Sequence, residues 1–218
     1  AVYDSMSIKP GTLVTNEKLK KDLNSIYLSG WFSNVKFKTE EGPLGVRLIV
    51  TIVPNPILKK VNITPTKALV SENFLDQIFK KSYGKTLNLN LLQENINQVK
   101  IWYENKGYSL ARIIGPDRIS DDGVIQLKID EGIVSKIDLR FIGNDEQIRK
   151  GKTKDWVIKR ELKTTPDSIF NRKTLEADIK RLYSTSLFND IKVSLGPDES
   201  KPGHVIITLD ISEQKTGS

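Results

Sequence analysis

The sequence predicts an α+β fold made of three tandem repeats of order β-α-α-β-β, and three observations carry that prediction. A set of residues recurs without a gap 156 positions further on; each copy switches from a helical to a strand period in the same order; and proline or glycine marks the joints.

Leu19, Asp22, Leu23, Ile26, Tyr27, Phe32 and Val35 return as Leu175, Asp178, Ile179, Leu182, Tyr183, Phe188 and Ile191. The same shift carries Pro10 onto Pro166 and Leu13 onto Ile169. A weaker middle copy has Val99, Trp102 and Tyr103 in place of Leu23, Ile26 and Tyr27, after which one inserted residue sets Gly107-Tyr108 opposite Gly30-Trp31.

Leu19, Leu23, Ile26, Tyr27 and Gly30 share one face of a helix, with Thr15 or Asn16 as N-cap and Lys18, Lys20 and Lys21 toward water. Gly30 suits the helix end. Val35 and Phe37 then alternate with Lys36 and Lys38 as a strand with one buried face, before the turn Glu41-Gly42-Pro43 and a second strand from Val46 to Val53. The later copies show what precedes this unit. Val61-Asn62-Ile63 and Ile137 to Ile142 read as opening strands, the latter ended by Gly143-Asn144, and each is followed by an earlier amphipathic segment, Phe74–Phe79 or Trp156–Leu162. Since Val2 aligns with Ile158, the first copy is expected to begin inside its first helix, to lack an opening strand of roughly 20 residues and to be the least stable. Pro54-Asn55-Pro56 and Glu131-Gly132-Ile133-Val134 place the repeats at 1–56, 57–133 and 134–218, joined by short connections that limit swinging.

A helix carrying Leu-x-x-Asp-Leu-x-x-Ile-Tyr (Leu19 to Tyr27) that runs into Gly30-Trp31-Phe32-Ser33-Asn34-Val35 resembles the POTRA, or polypeptide-transport-associated, repeat of the BamA-like superfamily. The signature positions are Leu23, Tyr27, Gly30, Phe32 and Val35, then Tyr103 and Gly107, then Ile179, Tyr183, Phe188 and Ile191. The third copy departs with Ser186 at the glycine position, and the middle copy lacks the phenylalanine. Asp130-Glu131-Gly132 is similar to the acidic-glycine ending of such repeats, and Val53-Pro54-Asn55-Pro56 with a count of three resembles cyanobacterial or chloroplast-envelope members.

The resemblance implies a three-stranded mixed sheet with two helices on one face in each repeat, a place on the periplasmic or equivalent envelope side of an outer membrane, and a non-enzymatic role. The partners it implies are unfolded outer-membrane precursors, a C-terminal membrane β-barrel that the tail 213–218 would enter, and accessory subunits. An incoming chain would add a strand to the open sheet edge. By the resemblance that edge is the second strand: 34–38, 109–114 and 190–195. The contact residues expected there are Asn34, Val35, Lys36, Phe37 and Lys38, then Leu110, Arg112 and Ile114, then Ile191, Lys192 and Val193. The cations among them would deter self-pairing and attract acidic passengers.

Composition leaves little room for other chemistry. There is no cysteine and one histidine, His204, which reads as incidental at a turn into a strand. No catalytic residue, metal ligand or cofactor is expected. The longest apolar run, Leu48 to Val53, is far below the roughly 20 residues of a spanning helix. The first residues lack signal-peptide character, so the chain reads as mature or as cut from something longer. Gly84-Lys85-Thr86 and Gly151-Lys152-Thr153 lack the glycine five positions earlier that a phosphate loop needs, since Phe79 and Glu146 stand there. Gly42-Pro43-Leu44-Gly45 has KH-loop spacing but joins two strands. Net charge +7 therefore favours a KH-like nucleic-acid binder only by charge, and no nucleic-acid partner is expected. A transporter dedicated to one secreted partner is the nearer alternative. Trp31, Phe32, Tyr108 and Phe188 are expected in the core, and Arg149, Lys150, Lys152 and Lys154 form the densest basic patch, in a loop.

Overall fold

A computed structural model describes residues 2–65 and 67–214; the expected barrel-ward tail from Lys215 to Ser218 lies outside the described residues. The elements are α1 (Val2–Ser5), α2 (Asn16–Leu28), β1 (Phe32–Gly42), β2 (Gly45–Pro54), β3 (Lys60–Thr64), α3 (Glu72–Phe79), α4 (Leu89–Asn105), β4 (Arg112–Ile114), β5 (Val124–Asp130), β6 (Ile133–Ile142), β7 (Ile148–Arg149), α5 (Asp155–Lys159), α6 (Arg172–Ser184), β8 (Phe188–Pro197) and β9 (His204–Glu213). Compactness divides the chain into Ala1–Val99 with Gly115–Lys128, and Lys100–Ile114 with Ile129–Ser218. Residues 57–133 thus contribute to both units.

The third sheet is mixed, as expected, but the sheets differ in size and the first is purely antiparallel. β1 and β2 form an antiparallel pair; the second sheet has the order β3-β5-β4; the third has the order β7-β6-β9-β8. In the second and third, the last strand is central and runs parallel to the opening strand, with Val61 opposite Ile125 and Ile137 opposite Ile207. The fourth strand of the third sheet is a departure. β7 folds back on β6 and covers its outer margin over Phe141 and Ile142.

The cores follow the strand count. The third repeat buries Val134, Ile158, Phe170, Leu182, Phe188, Ile207 and Leu209 among others. The first buries Met6, Ile8, Ile26 and Val35, and the apolar residues packed around them, such as Leu19, Leu23 and Phe32, are only half-covered. A two-stranded sheet leaves β2 without a second neighbour among the described residues, and no residue of β2 is buried.

Helix ends match the sequence reading and explain one anomaly. Thr15 is the α2 cap, accepting the Lys18 amide, and Asn171 caps α6 in the same way from Thr174. After the helices, Gly30 and Gly107 take left-handed φ values of 80° and 97°, and Ser186 adopts the same conformation at 57°. The serine keeps the turn at a steric cost of about 1–2 kcal/mol.

The glycines have a second reason. A Cβ on Gly30 would stand 2.9 Å from Asn88 Oδ1, and one on Gly107 only 2.5 Å from Asn171 Oδ1. Both asparagines belong to the following repeat. Asn88 Oδ1 accepts the Asn90 and Leu91 amides at the start of α4, while its Nδ2 donates to Ser29 O at the end of α2. Asn171 caps α6 with its oxygen and donates Nδ2 to Lys106 O at the end of α4. Leu89 N to Gly30 O and Arg172 N to Gly107 O complete the matched joints, and Asn55 adds Nδ2 donations to Gly30 O and Leu87 O.

A second repeated device is a buried carboxylate. Asp22 accepts the Ser7 amide, the Ser7 hydroxyl and the Ile8 amide; Asp178 accepts the equivalent Lys163 and Thr164 amides and pairs with Arg181. Each ties the segment before a helix onto its buried face. Burial opposes the charge of Asp22, but the bonds from Ser7 and Ile8 and the nearby Lys21 ammonium outweigh it and hold the carboxyl below its ordinary 3.8. A carboxyl lowered in the folded state stabilises above its unfolded pKa, and this support is lost as pH falls through the folded value.

Three outcomes follow for urea unfolding. Ser186→Gly should stabilise by about 0.5–1 kcal/mol, the relieved strain exceeding the added unfolded-state entropy. Asp178→Ala should cost about 2–4 kcal/mol by orphaning two amides and a guanidinium. The first repeat should lose stability below about pH 4, and Asp22→Asn should flatten that acid limb.

Candidate functional site

β8 lies at a margin because β9, its neighbour on one side, is already held on its other side by β6. The register pairs Ile191 with Ile211, Val193 with Leu209 and Leu195 with Ile207, after a bulge between Phe188 and Asp190. The Ile191 amide does not point at β9. It donates to the Tyr183 hydroxyl at 2.9 Å, and that hydroxyl also lies 3.3 Å from Asp190 Oδ1. Backbone direction alternates along a strand, so Val193 and Leu195 also turn their peptide groups outward.

Beside this margin α6 leaves a groove. Leu175, Ile179 and Tyr183 of α6, Phe170 before it, and Val193 and Leu195 of β8 line a cavity of about 500 Å³, with Arg172, Glu176 and Lys180 along the rim. Ile191 is buried against the helix, whereas Val193 and Leu195 are 40% and 45% exposed, so the groove opens toward the end of the strand. Ser109 reaches it from the middle repeat. A second cavity of about 360 Å³ brings Leu110 and Arg112 together with Leu195, Gly196 and Pro197. The open stretch of β8 is thereby bounded by Tyr183 at one end and by the 110–112 segment at the other.

The other expected contacts are distributed differently. Val35 is buried and Phe37 half-buried in β1; Asn34, Lys36 and Lys38 are exposed, with Lys38 paired to Glu40 at 3.0 Å. The strand expected over 109–114 covers only Arg112–Ile114, because Ser109 N to Gly107 O and Ala111 N to Tyr108 O hold the preceding residues in turns. Leu110 packs on the third repeat's core. Arg112 is bound to Asp130 at 2.7 Å, which offsets the charge expected to attract acidic chains. Ile114 is exposed and Lys192 projects to solvent from β8.

The signature tyrosines have three fates. Tyr103 is fully buried and donates to Glu131 at 2.6 Å; Tyr183 bonds the margin; Tyr27 is exposed. The buried face of α2 is centred on Asp22 and Ile26, and the next residue lies about 100° around the helix. Trp31 departs from its expected core place for a local reason. It sits between the left-handed Gly30 and β1, its carbonyl accepts the Asn55 amide, and its ring is left exposed. Phe188 is buried as expected, and Phe32 and Tyr108 are half-buried.

Comparison with known proteins adds the family context. Residues 57–132 match the family model described as "POTRA domain, ShlB-type", and residues 140–214 the one described as "Surface antigen variable number repeat", POTRA. The N-terminal domain of Omp85 from Thermosynechococcus elongatus is 34% identical, with a TM-score of 0.87 over 99% of this chain and 91% of that one. The POTRA1-3 segment of Omp85 from Anabaena is 36% identical, with a TM-score of 0.86 over 99% and 88%. Among curated proteins, the chloroplastic outer envelope protein 80 of Oryza sativa is 24% identical over 96% of this chain, which spans 31% of that relative's length.

The margin makes its own prediction. In amide exchange of the free chain, Ile191 should be protected while Val193 and Leu195 exchange fast; in Tyr183→Phe, Ile191 should join the fast class with the rest of β8 unchanged.

Proposed function

Since the chain belongs to the POTRA family, we propose that it is a non-enzymatic receptor segment on the periplasmic or intermembrane-space side of an outer membrane, binding unfolded precursor chains by strand addition. In this reading the working repeats run 1–56, 57–133 and 134–218, and the captured chain passes to a membrane β-barrel of the same protein for insertion or translocation. The single observation that carries the reading is the unpaired margin of β8 beside an apolar groove. Backbone groups there accept any extended sequence, and the groove rewards an apolar side chain at every second position.

Magnitudes make the grip transient. About five main-chain bonds worth roughly 1 kcal/mol each stand against an association cost of at least ~4 kcal/mol. Side-chain burial beside Val193 and Leu195 supplies most of the surplus, and neighbouring repeats raise the effective concentration. A millimolar grip at one margin suits a carrier that must release its passenger.

The ShlB-type match over 57–132 favours a second reading, in which one dedicated partner is secreted. A panel of unrelated barrel-precursor peptides separates the two, because a receptor of general use binds most of them with similar strength.

The direct test is precursor-peptide titration read by NMR. Val193 and Leu195 amides should gain protection, and Val193→Pro, tolerated at a margin, should weaken binding by at least ~tenfold without unfolding the chain. Protection confined to other surfaces would refute the reading.

A further inference from the structure

We propose that the loop 150–154 and the turn of helix after it form a docking surface for a bilayer that carries anionic headgroups. This surface lies in the third repeat and is separate from the β8 groove, so the inference does not depend on strand addition.

Lys150, Lys152 and Lys154 occupy alternate positions of the loop and Lys159 follows one turn into α5; all four are exposed. None of them forms an ion pair among the described residues, although the Glu213 carboxylate is near enough to Lys152 to feel its charge. The two arginines here are already engaged, Arg149 by Asp145 at 2.7 Å and Arg160 by Glu161 at 3.1 Å. What remains is a set of exposed point charges. Arginine forks suit a defined carboxylate or phosphate, whereas unpaired lysines suit a diffuse anionic plane.

The apolar complement is beside them. Trp156 and Ile148 are 61% and 64% exposed, and the Arg160 guanidinium lies 5.3 Å from the indole ring centre. Trp156, Leu139 and Phe141 share an open cavity of about 650 Å³ with Lys150, Lys154 and Lys159, and Asp155 is the one acidic residue of its lining. An indole with an apolar body and a polar edge, ringed by long cationic stems, is the arrangement that settles at headgroup depth.

The loop is also held in shape. Glu213 accepts the Lys152 and Thr153 amides at 2.9 and 2.6 Å. Burial opposes the charge of Glu213, yet these bonds and the Lys152 ammonium keep its carboxyl below its ordinary value. Gly151 rests on the Phe141 ring, where an added Cβ would lie 2.5 Å from ring carbons. An acidic peptide is the rival occupant. The sheet margin here is the two-residue β7, too short to pair with an extended backbone, so the observations favour lipid.

Vesicle cosedimentation of the full chain tests this, with phosphatidylcholine alone and mixed with phosphatidylglycerol. The chain should bind only the mixed vesicles, and less as salt rises. With each lysine worth roughly fivefold, changing Lys150, Lys152, Lys154 and Lys159 together to Gln should lower partitioning by at least ~tenfold. Trp156→Phe should abolish quenching of the tryptophan signal by brominated acyl chains, whereas Trp31→Phe and Trp102→Phe should not. Thermal midpoints and precursor-peptide binding at β8 should be unchanged in these variants. Equal binding to both vesicles, or full binding by the four-lysine variant, overturns the proposal. So does tighter binding of a polyglutamate peptide through the same lysines, which would assign the surface to a protein partner.

Discussion

Two asparagine side chains tie consecutive helices of this chain together. A helix leaves amides unpaired at its start and carbonyls unpaired at its end, and Asn88 and Asn171 each serve both needs at once, oxygen to their own helix and nitrogen to the helix of the preceding repeat. Neither repeat then has to find a separate partner for its helix end. The absent Cβ of Gly30 and Gly107 makes room for the carboxamide, so the helix-ending glycine and the joint asparagine are one requirement seen from two sides. With units this small, hydrogen bonds at the joint supply stability that a thin core cannot.

The same economy appears within the repeats. Asp22 and Asp178, at equivalent positions, each fasten the segment between two helices by accepting backbone amides, which fixes how the helices sit on their sheet. Alignment of α6 over β8 sets the width of the groove. Tyr183 closes one end of the margin because α6 carries its hydroxyl to the Ile191 amide. The geometry of the margin is thus coupled to a carboxylate on the buried face of the helix.

Much of the architecture could be read from the sequence, because apolar spacing and the shift of 156 report directly on which faces are buried. Helix order, strand order and the helix-ending glycines follow from it. The joint asparagines did not stand out, since 88 and 171 fall in loops of unequal length where no fixed offset links them. Nor could the tyrosines be sorted. Tyr27, Tyr103 and Tyr183 share one place in the pattern, but what each hydroxyl does depends on whether Glu131 or the Ile191 amide stands opposite it, a matter of three-dimensional supply. β7 was hidden for a related reason: a basic, polar stretch does not announce a strand when only two residues pair.

The small hairpin made by β6 and β7 has a consequence for how molecules meet. A sheet with two long free margins can accept neighbours on both sides and grow without limit, as fibres do. Over Phe141 and Ile142 the third sheet presents the two-residue β7 in place of β6, so that end of the β6 edge offers no continuous backbone for a neighbour to follow, whereas β8 offers its full length. The two sides of the sheet are therefore unequal as templates, which works against stacking of copies in both directions.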